Sequence, residues 1–171
     1  MIKNENNLSF ALCETPLGWM GIVGSEKGIR AVILPVKSKK AVLERTAGYG
    51  CRPENQDSNG LAAITHRLDR YFRGDALDFT GKLDLSGSTD FERSVWKVVQ
   101  SIPRGQTRSY GWIAEQVGLP KAARAVGNAV GKNPVPIVIP CHRVIRGDGT
   151  LGGFGGGIET KKFLLRLEKS A

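Results

Sequence analysis

The stretch that most constrains this chain is Asn133-Pro-Val-Pro-Ile-Val-Ile-Pro-Cys141-His142-Arg143-Val144-Ile145-Arg146. Pro134, Pro136 and Pro140 punctuate an apolar run that ends in a cysteine, a histidine and two arginines. Proline fixes φ and removes a backbone donor, so this segment cannot be a long helix. The expectation is a stiff extended arm that delivers Cys141 to one fixed place. Such an arm suits a nucleophile, because misplacement by about an ångström is costly in rate.

A buried structural cysteine is the bland alternative, since free cysteines are among the most buried residues. Against it stand the rigid Pro140 before the thiol and the positive potential of His142, Arg143 and Arg146, which favours a thiolate. Cys13 and Cys51 have no such surroundings. Residues i and i+1 point in different directions, so direct contact between Cys141 and His142 is not assured, and a bridging water would join them. A carboxylate would orient the histidine. Spacing alone leaves both Glu168 and Glu159 open.

The net charge of +9 is unevenly placed. Residues 1–89 carry 12 Lys+Arg and 10 Asp+Glu, or +2, whereas residues 90–171 carry 13 and 6, or +7. Between Arg93 and Arg146, nine basic residues face a single acid, Glu115. A basic face confined to one half calls for an anionic partner, and nucleic acid is the commonest. No run approaches the roughly twenty apolar residues of a membrane span, and Met1–Asn7 is polar, unlike a signal peptide. Three widely spaced cysteines make no disulfide framework and point to a reducing, cytoplasmic setting.

Short apolar runs at Leu8–Glu14, Trp19–Gly24 and Ile29–Leu34, joined by tight turns, predict an antiparallel meander. Lys39–Thr46 reads as a short helix, Tyr49–Gly60 as a loop, and Leu61, Ile64, Leu68, Tyr71 and Phe72 recur at helical spacing. Cys13, Cys51 and His66 match no zinc pattern, so no metal and no cofactor is expected. The domain border falls near Ser86–Ser88, which gives domains 1–86 and 87–171. Thr89 and Glu92 form a capping box for a helix bearing Phe91, Val95, Val98, Val99 and Ile102. Ser109–Val117 and Lys121–Val130 are two short helices across Gly118-Leu-Pro, the pattern of a helix-turn-helix. Ala122, Ala123 and Gly127 let the second helix approach a groove, and Lys121 and Arg124 charge it. Gly147-Asp-Gly149-Thr-Leu-Gly152 matches G-x-G-x-x-G literally, but no helix and βαβ unit follow, so a dinucleotide site is rejected. Thr160–Lys169 closes the chain as a helix with Phe163, Leu164, Leu165 and Leu167 as core candidates.

Ile139-Pro-Cys-His-Arg-Val144, with Asn133-Pro-Val-Pro before it and Ala122-Ala-Arg-Ala-Val-Gly127 upstream, resembles the O6-alkylguanine-DNA alkyltransferase family (methylated-DNA–protein-cysteine methyltransferases). The similarity spans about Thr89 to Glu168. It implies a small ribonuclease-H-like α/β domain with an antiparallel sheet, then a helical, winged-helix-like domain carrying the helix-turn-helix. It implies DNA repair in which Cys141 takes the alkyl group from O6 of guanine irreversibly, once per protein; O4-alkylthymine is left open as a second substrate. In that scheme His142, through water, and Glu168 keep the thiol ionisable, Asn133 is a hinge, and Tyr110 acts at the phosphate and in proton donation. Arg124 enters the duplex and fills the vacated space. Val144, Phe154, Gly155, Gly156 and Lys161 line the substrate pocket. The partner is double-stranded DNA bearing alkylated guanine, met by a monomer, with no membrane. Where the family commonly has Tyr-Ser, this chain has Phe154-Gly155, so a roomier pocket is expected. A non-enzymatic helix-turn-helix module and a thiol hydrolase built on Cys141, His142 and Glu168 are the alternatives.

Overall fold

The computed structural model describes residues 8–57 and 60–169, so the polar Met1–Asn7 stretch lies outside the described residues. The chain divides into two compact units, 1–84 and 85–171.

In the first unit β1 (Ser9–Thr15), β2 (Gly18–Ser25) and β3 (Gly28–Val36) form an antiparallel sheet in the order β1-β2-β3. The β1–β2 turn needs glycine at position 18. Its φ is +118°, and a Cβ there would lie 2.4 Å from the Val36 carbonyl oxygen. Met20, Ile22 and Val23 of the central strand are fully buried, each worth roughly 1.5–3 kcal/mol of apolar burial. Helices α1 (Lys39–Gly48) and α2 (Ala62–Phe72) pack on the sheet. The loop expected over 49–60 contains a 3-10 turn, Pro53–Asn55, and Gln56 bridges to Phe10 of β1. Cys51 joins Phe10, Val23 and Ala31 in the core, and His66 is exposed. Segment 82–84 is zipped onto the start of β3: Ile29 N donates to Lys82 O (2.9 Å) and Asp84 N donates to Ile29 O (2.8 Å).

In the second unit α3 (Asp90–Gln100) starts at the expected capping box, with Glu92 N donating to Thr89 Oγ1 (3.2 Å) and Thr89 N to Glu92 Oε2 (2.9 Å). Its buried apolar side chains are Val95, Trp96 and Val99, and Trp96 Nε1 donates to Ala129 O at 2.8 Å. That bond ties α3 to α5. Strand β4 (Arg108–Ser109) leads directly into α4 (Tyr110–Gln116); a turn through Gly118 then delivers α5 (Ala123–Gly131). Strand β5 (Val144–Ile145) pairs in parallel with β4, Arg108 opposite Val144 and Ser109 opposite Ile145. Helix α6 (Ile158–Lys169) closes the chain.

Two expectations are corrected. Residues 133–140 do not form an extended arm. Ile139 N donates back to Val135 O at 2.9 Å, and Ile137, fully buried, has a φ of +74°. The prolines exclude a helix but permit this reversal, and burial of Ile137 holds a backbone conformation that costs a β-branched residue about 1–3 kcal/mol. Of the four core candidates of α6, Leu164 alone is fully buried, and two polar residues share its inward stripe. Lys161, Leu164 and Glu168 are buried, while Phe163, Leu165 and Leu167 are only half-buried. Polar side chains take the core positions because polar partners wait there.

Candidate functional site

The site is assembled where β5, the Asn133–Pro140 turn, α4 and α6 of the second unit converge. Asn133 locks the turn from inside. Its Oδ1 accepts from Val135 N (2.9 Å) and its Nδ2 donates to Ile139 O (2.8 Å). The chain then enters a 3-10 turn, Cys141–Arg143, whose first residue carries the thiol. Cys141 is 8% exposed. Burial pushes its thiol up, while a hydrogen bond from Asn133, the Lys161 charge and the backbone N–H groups of Cys141 and His142 work the other way. The resting sulfur is therefore a thiol, not the thiolate that the neighbouring arginines led one to expect.

Arg143 shows why. Its guanidinium is committed to Glu168, Nε to Oε2 at 2.9 Å and Nη2 to Oε1 at 2.8 Å, and to the Ile102 carbonyl at 2.6 Å. The charge read from sequence as acting on Cys141 is spent on a carboxylate. Glu168 also faces His142 Nε2 at 2.9 Å, and both side chains are fully buried. Burial alone would raise the Glu168 carboxyl, but hydrogen bonds from His142 and Arg143 reverse this and hold it well below the usual range. Burial pushes His142 down, against the raising effect of Glu168. The pair is thus a carboxylate and a neutral imidazole. The ring proton sits on Nε2, assigned from its carboxylate partner, so Nδ1 carries the lone pair. Of the two carboxylates the sequence left open, Glu168 meets the histidine; Glu159 pairs with Lys162 on the surface at 2.8 Å.

Lys161 is fully buried, and its Nζ donates to the carbonyls of Val144 (2.6 Å), Leu151 and Gly153 (3.4 Å). Burial lowers its ammonium to about 8, with the Cys141 charge opposing that shift. One side chain therefore pins the glycine loop to β5 and places a positive charge within reach of the sulfur.

Tyr110, the first residue of α4, is brought beside Cys141 by the β4–β5 ladder. Burial pushes its phenol up, and the Cys141 charge adds to this. Its ring lies 3.8 Å from where a Cβ would stand at Gly127. That is an ordinary van der Waals distance, so Gly127 packs beside this ring without being required by it. Lys121, Arg124, Ala125 and Asn128 form the exposed side of α5 and its approach, with Ala122 and Ala123 half-exposed; Val126, Ala129 and Val130 face inward. Val144 is buried, Phe154 and Gly156 are half-buried, and Gly155 is exposed. Arg143, read from sequence only as positive potential, clamps Glu168, a role that sequence reasoning missed. Its place in the Cys-His-Arg run was the signal.

Among the described residues no group of three or more His, Cys, Asp and Glu side chains could hold a metal ion, and no helix is long and apolar enough to cross a membrane.

Residues 8–85 match the model of the 6-O-methylguanine DNA methyltransferase ribonuclease-like domain, and residues 90–170 match that of the DNA binding domain. A methylated-DNA--protein-cysteine methyltransferase of Mycobacterium bovis is 53% identical over 163 residues, 95% of this chain and 93% of the relative. The crystal structure of Mycobacterium tuberculosis O6-methylguanine methyltransferase superposes with a TM-score of 0.79 at 40% identity, covering 95% of this chain and 93% of that one. The structure of Mycobacterium tuberculosis OGT in complex with DNA superposes with a TM-score of 0.78 at 40% identity, with the same coverage.

Proposed function

The chain belongs to the 6-O-methylguanine DNA methyltransferase family, and from that premise we propose that it repairs DNA by moving the alkyl group of O6-alkylguanine onto Cys141. The observation that carries this assignment is the buried Glu168–His142 pair, braced by Arg143, in the turn that bears the thiol.

The target oxygen lies inside a stacked duplex, so the nucleotide is extruded first. The exposed face of α5 docks on DNA, and Arg124 fills the vacated space. The neutral His142 then takes the Cys141 proton through a water, and Glu168 stabilises the imidazolium that forms. The thiolate attacks the alkyl carbon; the S–C bond forms as the C–O6 bond breaks, and the electron pair leaves on guanine. Tyr110 donates a proton to the leaving base, and the proton held on His142 restores the tyrosine. The products are guanine and a thioether. Thiol exchange does not cleave a thioether, so each protein acts once. Asn133 and Lys161 ease thiolate formation by a hydrogen bond and a positive charge, and Val144, Phe154, Gly155 and Gly156 border the base. The protein works as a cytoplasmic monomer, since a lesion arises anywhere and needs no second half-site.

Intact mass after incubation with duplex carrying O6-methylguanine, followed by peptide mapping, tests this. One added methylene on the Cys141 peptide, saturating at one per protein, is the expected result. Binding without transfer would support a helix-turn-helix module instead, and repeated turnover would support a thiol hydrolase.

A further inference from the structure

Arg146 is the basic residue of the Cys-His-Arg segment that the chemistry above leaves without a task. In the parallel β4–β5 ladder Ser109 stands opposite Ile145. The next residue on each strand is therefore Tyr110 on one side and Arg146 on the other, and the two leave the ladder together. Their side chains also flank the same glycine. A Cβ at Gly152, where φ is +69°, would lie 3.2 Å from Tyr110 Oη, 3.5 Å from Tyr110 Cε2 and 3.6 Å from Arg146 Cγ. The Arg146 backbone is pinned: its N donates to Thr150 O (2.8 Å) and its O accepts from Gly149 N (3.0 Å). Arg143 spends its charge on Glu168, whereas Arg146 is exposed. Asp148 is the one acid between Glu115 and Glu159; it feels the Arg146 charge, but its Oδ1 is already occupied by Thr150 N and Oγ1.

A neutral phenol hydroxyl and an exposed guanidinium carried on a pinned backbone, both flanking Gly152, can together receive a phosphate diester, since a charge-assisted bond holds what the hydroxyl alone positions weakly. We propose that Arg146 binds the DNA phosphate next to the extruded nucleotide and forms with Tyr110 a two-residue clamp beside Cys141. This rests on the alkyl-transfer assignment above. The clamp sets the register of the extruded nucleotide, while Arg124 occupies the gap left in the stack.

The test is a cycle of protein and DNA changes. Single-turnover methyl transfer is measured on duplexes in which each phosphate flanking O6-methylguanine is replaced in turn by an uncharged methylphosphonate. At one linkage the intact protein should slow about tenfold. Arg146→Ala should be slowed by a similar factor on the all-phosphate duplex and lose little more at that linkage. Arg146→Lys should recover part of the rate and remain sensitive. The slope of log affinity against log salt should fall by about one for Arg146→Ala. Lys40→Ala, the same charge change at an 86% exposed side chain of the first unit, should keep the full sensitivity. Losses that multiply at every flanking linkage, or identical salt slopes, would overturn the clamp. Absence of transfer by the intact protein on unmodified DNA would instead strike the assignment of function.

Discussion

Replacing Glu168 by glutamine keeps the volume and removes the charge. The carboxylate receives three short bonds, at 2.9, 2.9 and 2.8 Å, from His142 and Arg143. Its side chain is 0% exposed and that of Arg143 12%. An amide offers one acceptor oxygen and turns its NH2 toward existing donors. It also leaves the guanidinium with no counter-charge in a nearly dry place. Removing one partner of a buried ion pair costs about 3–5 kcal/mol. For a unit of this size, about 3 kcal/mol corresponds to a melting point lower by roughly 12–24 °C. The acid side supplies the sign. The folded carboxyl lies below its ordinary value of 4.5, so its stabilisation is complete above that pH and fades as pH falls below it. The gap between the parent protein and Glu168→Gln should therefore stay constant from pH 7 to about 5. It should then shrink by up to about 1.4 kcal/mol per pH unit below the unfolded-state value. Urea titrations followed by tryptophan fluorescence measure both quantities. A gap under about 1 kcal/mol at pH 7, or one unchanged at pH 3.5, would refute the account of Glu168 as an ionised, clamped carboxylate.

Arg124→Ala should slow repair in duplex DNA more than reaction with a free O6-alkylguanine base, as its proposed role in extrusion requires; equal losses in the two rate assays would contradict that role. Phe154 and Gly155 offer no side-chain donors where the family commonly has Tyr-Ser, which favours a roomier pocket, so O6-benzylguanine should react at least as fast as O6-methylguanine in competition kinetics, and strong rejection of the benzyl base would count against it. Burial lowers Lys161 to about 8 against an ordinary 10.5, so the unfolded chain binds more protons between those values and this group's penalty is relieved as pH rises. The stability of the parent relative to Lys161→Met should accordingly rise from pH 8 to 10, as read by chemical denaturation; a flat difference would mean that the buried ammonium keeps its ordinary affinity for protons.

Local chemistry was legible in the chain itself. The capping box at Thr89 and Glu92, the two helices across Gly118, and the prolines that exclude a long helix before Cys141 all depend on neighbours within a few residues. Backbone sterics and short-range hydrogen bonds decide such features whatever surrounds them. The Pro-Cys-His-Arg-Val run singled out the thiol for the same reason. What the chain could not decide was where charges go. Arg143 looked like a source of positive potential for Cys141, but only the packing of α6 brings Glu168 to it and spends that charge. Lys161 and Glu168 occupy core positions of α6 that hydropathy assigns to leucines, because the carbonyls and the imidazole that satisfy them come from elements far along the sequence. Glu159 and Glu168 were equivalent by spacing and differ only in which one the helix turns inward. The left-handed Ile137, which converts a supposed arm into a reversal, is likewise held by burial that no local rule announces. Burial sets desolvation, desolvation and partners set protonation, and both exist only once the chain has closed around Cys141.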